Sequence, residues 1–123
     1  MKKNYFLTTL FAFLSVLFVN AQCDHTFVMN DSWGDGWNGS TVDILVDGVA
    51  VEEAATAVSE GLFNIPTTEN LLFTANEGSS ITLANWVEGD YSNEVSWAIQ
   101  DGIGLTLASG VFGDDADVTA NCT

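Results

Sequence analysis

The chain has 123 residues, with 17 acidic residues against two lysines and a formal net charge of −15 at pH 7. Both lysines, Lys2 and Lys3, lie at the extreme N-terminus, so the rest of the chain carries neither lysine nor arginine. Such a chain cannot neutralise phosphates, which argues against nucleic-acid binding, and anionic membrane surfaces should repel it. Its carboxylates must therefore be solvated, protonated or bound to a cation.

The N-terminal segment has the three-part layout of a secretory signal peptide. A basic start precedes an almost wholly apolar run from Leu7 to Val19, and Val19-Asn20-Ala21 then supplies the small and medium residues of a cleavage site. The apolar run is too short to span about 30 Å of hydrocarbon comfortably, which disfavours a membrane anchor. A lipoprotein anchor at Cys23 is also disfavoured, because Gln22 stands where lipoproteins carry a small residue.

Cleavage after Ala21 would release a mature chain with room for one domain and one modest core. The predicted organisation is therefore a signal peptide over residues 1–21 and a single domain over residues 22–123. The predicted localisation is secreted or extracellular. No membrane insertion is expected after signal cleavage, since no second long apolar segment follows.

Alternation of apolar and polar residues, the period of a β-strand, recurs along the mature chain. Turn signals such as Asp47-Gly48 and Asp101-Gly102 separate the alternating segments. Residues 52–59 are ambiguous between a loop and an edge strand. The pattern predicts an all-β fold, an antiparallel β-sandwich or jelly roll of about eight short strands after the signal helix. The alternating segments are residues 25–29, 40–46, 49–51, 61–65, 70–74, 80–84, 94–99, 103–108 and 118–122.

The mature chain keeps two cysteines, Cys23 and Cys122, one near each end. In an oxidising compartment we expect them to form a disulfide that joins the first strand to the last. The single histidine, His25, leaves too few soft ligands for a zinc site.

The sequence carries no recognisable catalytic constellation. A Ser-His-Asp site would depend on His25 in the first strand, and the chain has neither a Gly-x-Ser-x-Gly elbow nor a phosphate-binding loop. Paired carboxylates can serve glycoside hydrolysis, but chance pairs are certain among 17 acidic residues. We therefore predict that the protein is not an enzyme.

The segment over residues 30–40 concentrates glycine, tryptophan and oxygen-bearing side chains between two predicted strands. Its glycines allow positive φ and close backbone approach. A tight loop of this kind can direct several oxygens at one point, as calcium requires with about six to eight oxygen ligands. It could instead be a rigid turn whose side chains cap backbone amides, or it could present its tryptophans to a ligand. The candidate calcium ligands within the loop are Asp31, Asp35 and Asn38.

The tryptophans are the candidate ligand contacts, because aromatic faces can stack on sugar rings. Alternation places Trp97 in the core, whereas Trp86 lies close to acidic residues and is a better candidate for exposure. Trp33 and Trp37 are undecided between the core, a lid and a ligand surface. The candidate ligand-binding residues are therefore Trp33, Trp37 and Trp86.

The nine residues from Asp31 to Gly39, DSWGDGWNG, resemble the DSYGDGWNG signature of secreted bacterial and algal β-sandwich modules, which are similar to CUB-like domains. In those modules a Cys-led strand precedes the signature and an E-x-S-W-x-I-x-D-x-x-G segment follows it, as at Glu94–Gly104 here. The likeness covers nearly the whole mature chain and departs inside the loop at Trp33, where Tyr is usual. Some CUB-like domains bind calcium through loop acids, so the resemblance adds Glu94 to the candidate calcium ligands.

Such modules commonly decorate larger surface or adhesive proteins. The resemblance and composition together predict a secreted, non-catalytic, acidic binding or adhesion module with a calcium-ordered loop at residues 31–39. Its expected partner is an extracellular glycan or a surface protein. The alternative is a structural component of an extracellular matrix or surface coat with no metal requirement.

Overall fold

The computed structural model describes residues 21–123, in which eight strands and one short 3-10 helix form. The predicted signal peptide lies outside the described residues, apart from Ala21. Within residues 21–123, no helix is long and apolar enough to cross a membrane. The strands are β1 (Gln22–Asp31), β2 (Thr41–Val46), β3 (Val49–Ala55), β4 (Thr67–Asn76), β5 (Ser80–Val87), β6 (Val95–Gln100), β7 (Thr106–Val111) and β8 (Asp117–Thr119), with the 3-10 helix η1 (Ser92–Glu94) before β6.

The strands form two four-stranded antiparallel sheets, ordered β4-β1-β6-β7 and β3-β2-β5-β8. The prediction of an all-β sandwich is confirmed. Successive residues of a strand point to opposite sides, so alternation supplies each sheet with one apolar face. The facing residues form a single core, to which both sheets contribute. Its largest members are Phe27, Met29, Trp37, Val42, Ile44, Phe73, Ile81, Leu83, Val95, Trp97 and Ile99.

Strand β1 is an inner strand of the first sheet and pairs with a neighbour on each side. It pairs with β4 along its whole length, and with β6 over its second half. Asp31, the last residue of β1, pairs with Val95, the first residue of β6. The loop that follows β1 and the turn that precedes β6 therefore meet at the same end of the sandwich.

The predicted disulfide is confirmed at the opposite end. Cys23 and Cys122 are bonded, with a Cα–Cα distance of 5.6 Å. The bond ties the start of β1 to the chain segment that follows β8. Beside it lies His25, whose Nε2 accepts a hydrogen bond from the backbone N–H of Asn121 at 3.2 Å. The histidine is fully buried, as part of the same structural tie.

The predicted strand over residues 61–65 is wrong. This segment is a loop between β3 and β4, and both Gly61 and Asn64 have positive φ, 69° and 56°. Left-handed residues break an extended run, and two of them within five residues interrupt the alternation here. The apolar side chains of Phe63 and Ile65 are consequently exposed.

Several strand boundaries also differ from the prediction, and β8, expected over residues 118–122, covers only Asp117–Thr119. The ambiguous segment at residues 52–59 contributes its first part, to Ala55, to the edge strand β3. The strand predicted from residue 103 begins only at Thr106. The Asp101 carboxylate accepts the backbone N–H groups of Ile103 and Leu105, at 3.1 and 2.8 Å, and this holds the preceding residues in a turn.

Candidate functional site

Asp31 is the innermost carboxylate at the end of the sandwich opposite the disulfide. It continues the core-facing alternation of β1 and is only 1% exposed. Its Oδ1 accepts the backbone N–H of Trp33 at 2.9 Å, and its Oδ2 accepts the backbone N–H of Gly36 at 2.5 Å. The carboxylate is therefore fixed in place by the loop that it caps.

Glu94 and Asp35 bring two further carboxylates to Asp31. Glu94 ends the 3-10 helix η1, immediately before β6, and its backbone carbonyl accepts the N–H of Ser32 at 3.3 Å. One carboxylate oxygen from each of the three acids lies within 4.8 Å of the others. Both Asp35 and Glu94 are half-buried, so the cluster opens on one side.

The side chain of Glu94 lacks the partners that Asp31 has. Its Oε2 is buried, yet it makes no hydrogen bond within the described part of the chain. Desolvation raises the pKa of Glu94 above its ordinary value, and the negative charges of Asp35 and Asp31 raise it further. A buried carboxylate oxygen without a donor is costly, and a cation beside it would remove that cost.

Asn38 contributes to this site by its amide nitrogen. Its Nδ2 donates to Asp35 Oδ1 and to the Gly36 carbonyl, both at 3.2 Å. Asn38 itself adopts a left-handed conformation, with φ of 52°. These contacts orient the Asp35 carboxylate. A direct bond from Asn38 to a metal stays a prediction.

Trp37 anchors the loop from below. It is 1% exposed, and its Nε1 donates to the Asn30 carbonyl at 2.9 Å. Its ring packs edge-on against Phe27, with centroids 6.4 Å apart. The indole has no face toward solvent here, so the expectation that Trp37 contacts a ligand is corrected: its surroundings are those of a core residue.

Gly36 explains why the backbone can pass so close to this core. Its φ is 91°, and an added Cβ would lie 3.0 Å from both the Ala57 carbonyl oxygen and the Ser59 nitrogen. Only glycine fits both the conformation and the space. The Gly36 N–H donates to Asp31 Oδ2 from this position.

Trp33 is the exposed tryptophan of the loop and lines a cavity beside the carboxylates. The cavity has a volume of about 240 Å³ and is also lined by Asp35, Phe63, Tyr91 and Glu94. Three of its five lining residues are aromatic, and the other two belong to the carboxylate cluster. The arrangement therefore places an aromatic wall directly against a group of acids.

Trp86 lies apart from this cavity. Its ring contacts Phe112 edge-on at 5.1 Å between centroids and approaches Trp37 at 6.3 Å. Its Nε1 donates to the Asp114 carbonyl at 3.2 Å. Trp86 is half-buried against the core, so a ligand that contacts Trp33 would not reach it within the same cavity.

Phe63 and Tyr91 are the site residues that sequence reasoning missed. Phe63 lay in a segment interpreted as a strand, and Tyr91 lay outside every motif. Tyr91 has a left-handed backbone, with φ of 59°, at the entry to η1. A positive φ in a non-glycine residue is uncommon and cannot be read from composition.

Comparison of the chain with protein-family models, curated proteins and solved structures gave no match.

Proposed function

We propose that this chain is a secreted, non-catalytic binding module whose loop at residues 31–39 is ordered by a calcium ion held by Asp31, Asp35 and Glu94. The observation that carries the proposal is the buried Oε2 of Glu94, which has no hydrogen-bond donor and lies in a cluster with two other carboxylates. Binding a cation would compensate both its desolvation and the mutual repulsion of the three acids.

The distances between the carboxylates suit calcium. Calcium–oxygen bonds are about 2.3–2.6 Å long, so two oxygens on one ion lie no more than about 5 Å apart. One carboxylate oxygen from each of Asp31, Asp35 and Glu94 lies within 4.8 Å of the other two. They form an all-oxygen donor set, which favours a hard cation over zinc.

The composition of the chain supports a metal ion as the positive charge that compensates the three carboxylates. Apart from Lys2 and Lys3, the chain has no lysine or arginine that could pair with these carboxylates. The remaining ionisable cation, His25, lies at the other end of β1, beside the disulfide. A bound ion from solution is therefore the available source of positive charge.

Secretion and binding complete the proposal. The N-terminal sequence has the features of a signal peptide, and the Cys23–Cys122 disulfide suits an oxidising compartment. The cavity beside the carboxylates gives the module a place to contact a partner, an extracellular glycan or a surface protein. Its proposed role is adhesion or recognition at a surface.

A metal-free matrix or coat component is the second candidate. It is favoured by the two backbone N–H groups that already satisfy Asp31, because they order part of the loop without an ion. In that case Glu94 would be protonated or solvated, and the acidic surface would serve solubility alone.

Isothermal titration calorimetry with calcium, and with magnesium for comparison, separates the two candidates. We expect one selective calcium site in the oxidised protein, with at least tenfold weaker binding in Glu94→Gln. Asp24→Asn is the matched control, because Asp24 is an exposed acid at the opposite end of β1 and should leave calcium binding unchanged. Equal, weak heats for both metals in all three proteins would favour the metal-free role.

A further inference from the structure

We infer that the cavity beside the carboxylates binds a single neutral sugar residue, which would offer two hydroxyl oxygens to the calcium ion and its apolar face to an aromatic side chain. This inference rests on the proposed calcium site and specifies the class of ligand that it would bind.

The size of the cavity suits one ring. Pockets for drug-sized ligands occupy about 300–1,000 Å³, and this cavity has about 240 Å³. It opens at the end of the sandwich, where a terminal residue of a longer glycan could enter without the rest of the chain being enclosed.

The aromatic side chains around the cavity are unusually open to solvent. Phe63 is 79% exposed, Tyr91 is 65% exposed and Trp33 is 38% exposed. The rings of Trp33 and Phe63 meet edge-on, with centroids 5.5 Å apart and an interplanar angle of 78°. Exposed apolar groups that cluster at a cavity mark a contact surface for a ligand. Aromatic rings of this kind suit the C–H face of a sugar.

The carboxylates leave a calcium ion short of ligands. Calcium takes about six to eight oxygens. Both oxygens of Asp31 already accept backbone N–H groups, so this carboxylate is poorly placed to bind the ion through both oxygens. Three carboxylates then supply about five oxygens at most, fewer than calcium takes, so positions around the ion remain open to other oxygens. Since Asp35 and Glu94 also line the cavity, the ion's open positions would face the aromatic wall.

Charge selects among ligands that could supply those oxygens. Three carboxylates and one calcium ion leave an excess negative charge, on a domain with no lysine or arginine after Lys3. An anionic ligand would be repelled. An ammonium group has no oxygen to offer calcium and would compete with it for the same carboxylates. A neutral polyol offers oxygens to calcium and is not repelled by the excess negative charge. The aromatic side chains of the cavity favour a sugar, which has an apolar face, over an acyclic polyol.

The experiment titrates the oxidised protein with the methyl glycosides of glucose, galactose, mannose and fucose, which together present cis and trans pairs of neighbouring hydroxyls. Binding is followed by isothermal titration calorimetry and by ¹H–¹⁵N spectra, in calcium and then in EGTA. We expect at least one glycoside to bind in calcium only, and to shift the resonances of the loop at residues 31–39. Tetramethylammonium chloride is titrated in parallel as the cationic competitor.

Variants assign the binding to this cavity. Phe63→Ala and Tyr91→Ala should each weaken the glycoside at least tenfold while changing the calcium dissociation constant less than twofold. Both side chains are mostly exposed, so neither change should impair folding. Ile103→Ala changes an exposed apolar residue in the turn between β6 and β7; it is the matched control and should change neither affinity.

The outcomes separate the two proposals. If calcium binds but no glycoside does, or if tetramethylammonium binds in their place, the sugar inference is overturned and the calcium site stands. If calcium itself does not bind, the proposed function fails, and the calcium-dependent sugar site fails with it. Glycoside binding that survives EGTA, or that is unchanged in Phe63→Ala, would also overturn the inference.

Discussion

Asp31 and Glu94 lie far apart in the chain, but the register of one strand pair makes them neighbours. Asp31 pairs with Val95 in the first sheet, so the residue before Val95 is placed beside the end of β1. The backbone N–H of Ser32 donates to the Glu94 carbonyl at this junction. The carboxylate cluster is therefore set by strands of the rigid sandwich as well as by the loop.

Glu94→Gln should stabilise the metal-free protein at neutral pH. Desolvation and the charges of Asp35 and Asp31 raise the pKa of Glu94, which means that its ionised form is disfavoured in the folded state. Glutamine removes the charge and keeps the shape. Thermal melting of both proteins in EGTA measures the difference, and a lower melting temperature in the variant would contradict the account.

The same group makes the stability of the metal-free protein depend on pH. A raised pKa means that, as the pH rises from the ordinary value of 4.5 through the folded value, the folded state holds more protons than the unfolded chain. Stability falls over that interval, and the loss is complete above it. The advantage of Glu94→Gln should therefore shrink as the pH is lowered through this interval. Melting in chelator-treated buffers from about pH 4 to pH 7 checks this, and a difference that is constant with pH argues against a raised pKa.

Gly34→Ala should damage both stability and the cavity. Gly34 has φ of 78°, and an added Cβ would collide with the Ile65 carbonyl oxygen. The collision must displace the segment that carries Phe63, in addition to a backbone strain of about 1–2 kcal/mol. Gly48→Ala is the matched control, because its φ is 79° but an added Cβ would meet nothing within 4 Å.

Chemical denaturation of the two alanine variants separates the cost of the steric collision, which only Gly34→Ala has, from the backbone strain that both variants share. Gly34→Ala should lose more free energy of unfolding than Gly48→Ala. Equal losses would mean that the loop around Ile65 yields freely and does not hold Phe63 in place.

The fold could be predicted from sequence because alternating apolar residues identify the buried face of most strands. β1 is the clearest case, with Phe27 and Met29 on the core side. The strand predicted at residues 61–65 was wrong because an alternating apolar pattern does not show whether the side chains are buried, and here Phe63 and Ile65 are exposed. The turn at Asp101 delayed the start of β7 through side-chain hydrogen bonds, which leave no periodic signal.

Only part of the candidate site could be predicted from the sequence. The loop acids were visible because Asp31 and Asp35 lie in one dense motif, and Glu94 was nominated by resemblance. The aromatic residues of the cavity could not be identified from the sequence, because Phe63 and Tyr91 reach the cavity from separate loops. Such convergence depends on tertiary packing.

Trp37→Ala should be among the most damaging single changes in the domain. The side chain is 1% exposed and joins the loop to the core through Phe27. Loss of a buried tryptophan costs about 3–5 kcal/mol, which is a large share of the stability of a small domain. Denaturant unfolding should show a much smaller loss for Trp33→Ala, which is partly exposed. Similar losses of unfolding free energy in the two variants would contradict the assignment of Trp37 to the core and Trp33 to the cavity.

Reduction of the Cys23–Cys122 disulfide should lower stability without changing the fold. The bond closes a loop with a sequence separation of 99 residues. In the chain-entropy model a loop of this size stabilises by up to about 4.7 kcal/mol. Denaturation with and without reductant measures the loss, while far-UV circular dichroism should keep its β signature. Cys23→Ser should match the reduced protein and show no further response to reductant.

The most direct test of the calcium site is thermal melting of the oxidised protein in EGTA, in calcium and in magnesium. A site filled at about 100 times its Kd should add about 2.7 kcal/mol, which for a domain of about 100 residues is a rise of several degrees. We expect a calcium-selective rise that Asp35→Asn abolishes and Asp24→Asn retains. No rise, or an equal rise in magnesium and in Asp35→Asn, would contradict a calcium site at these carboxylates and leave Asp31 as the cap of a metal-free turn.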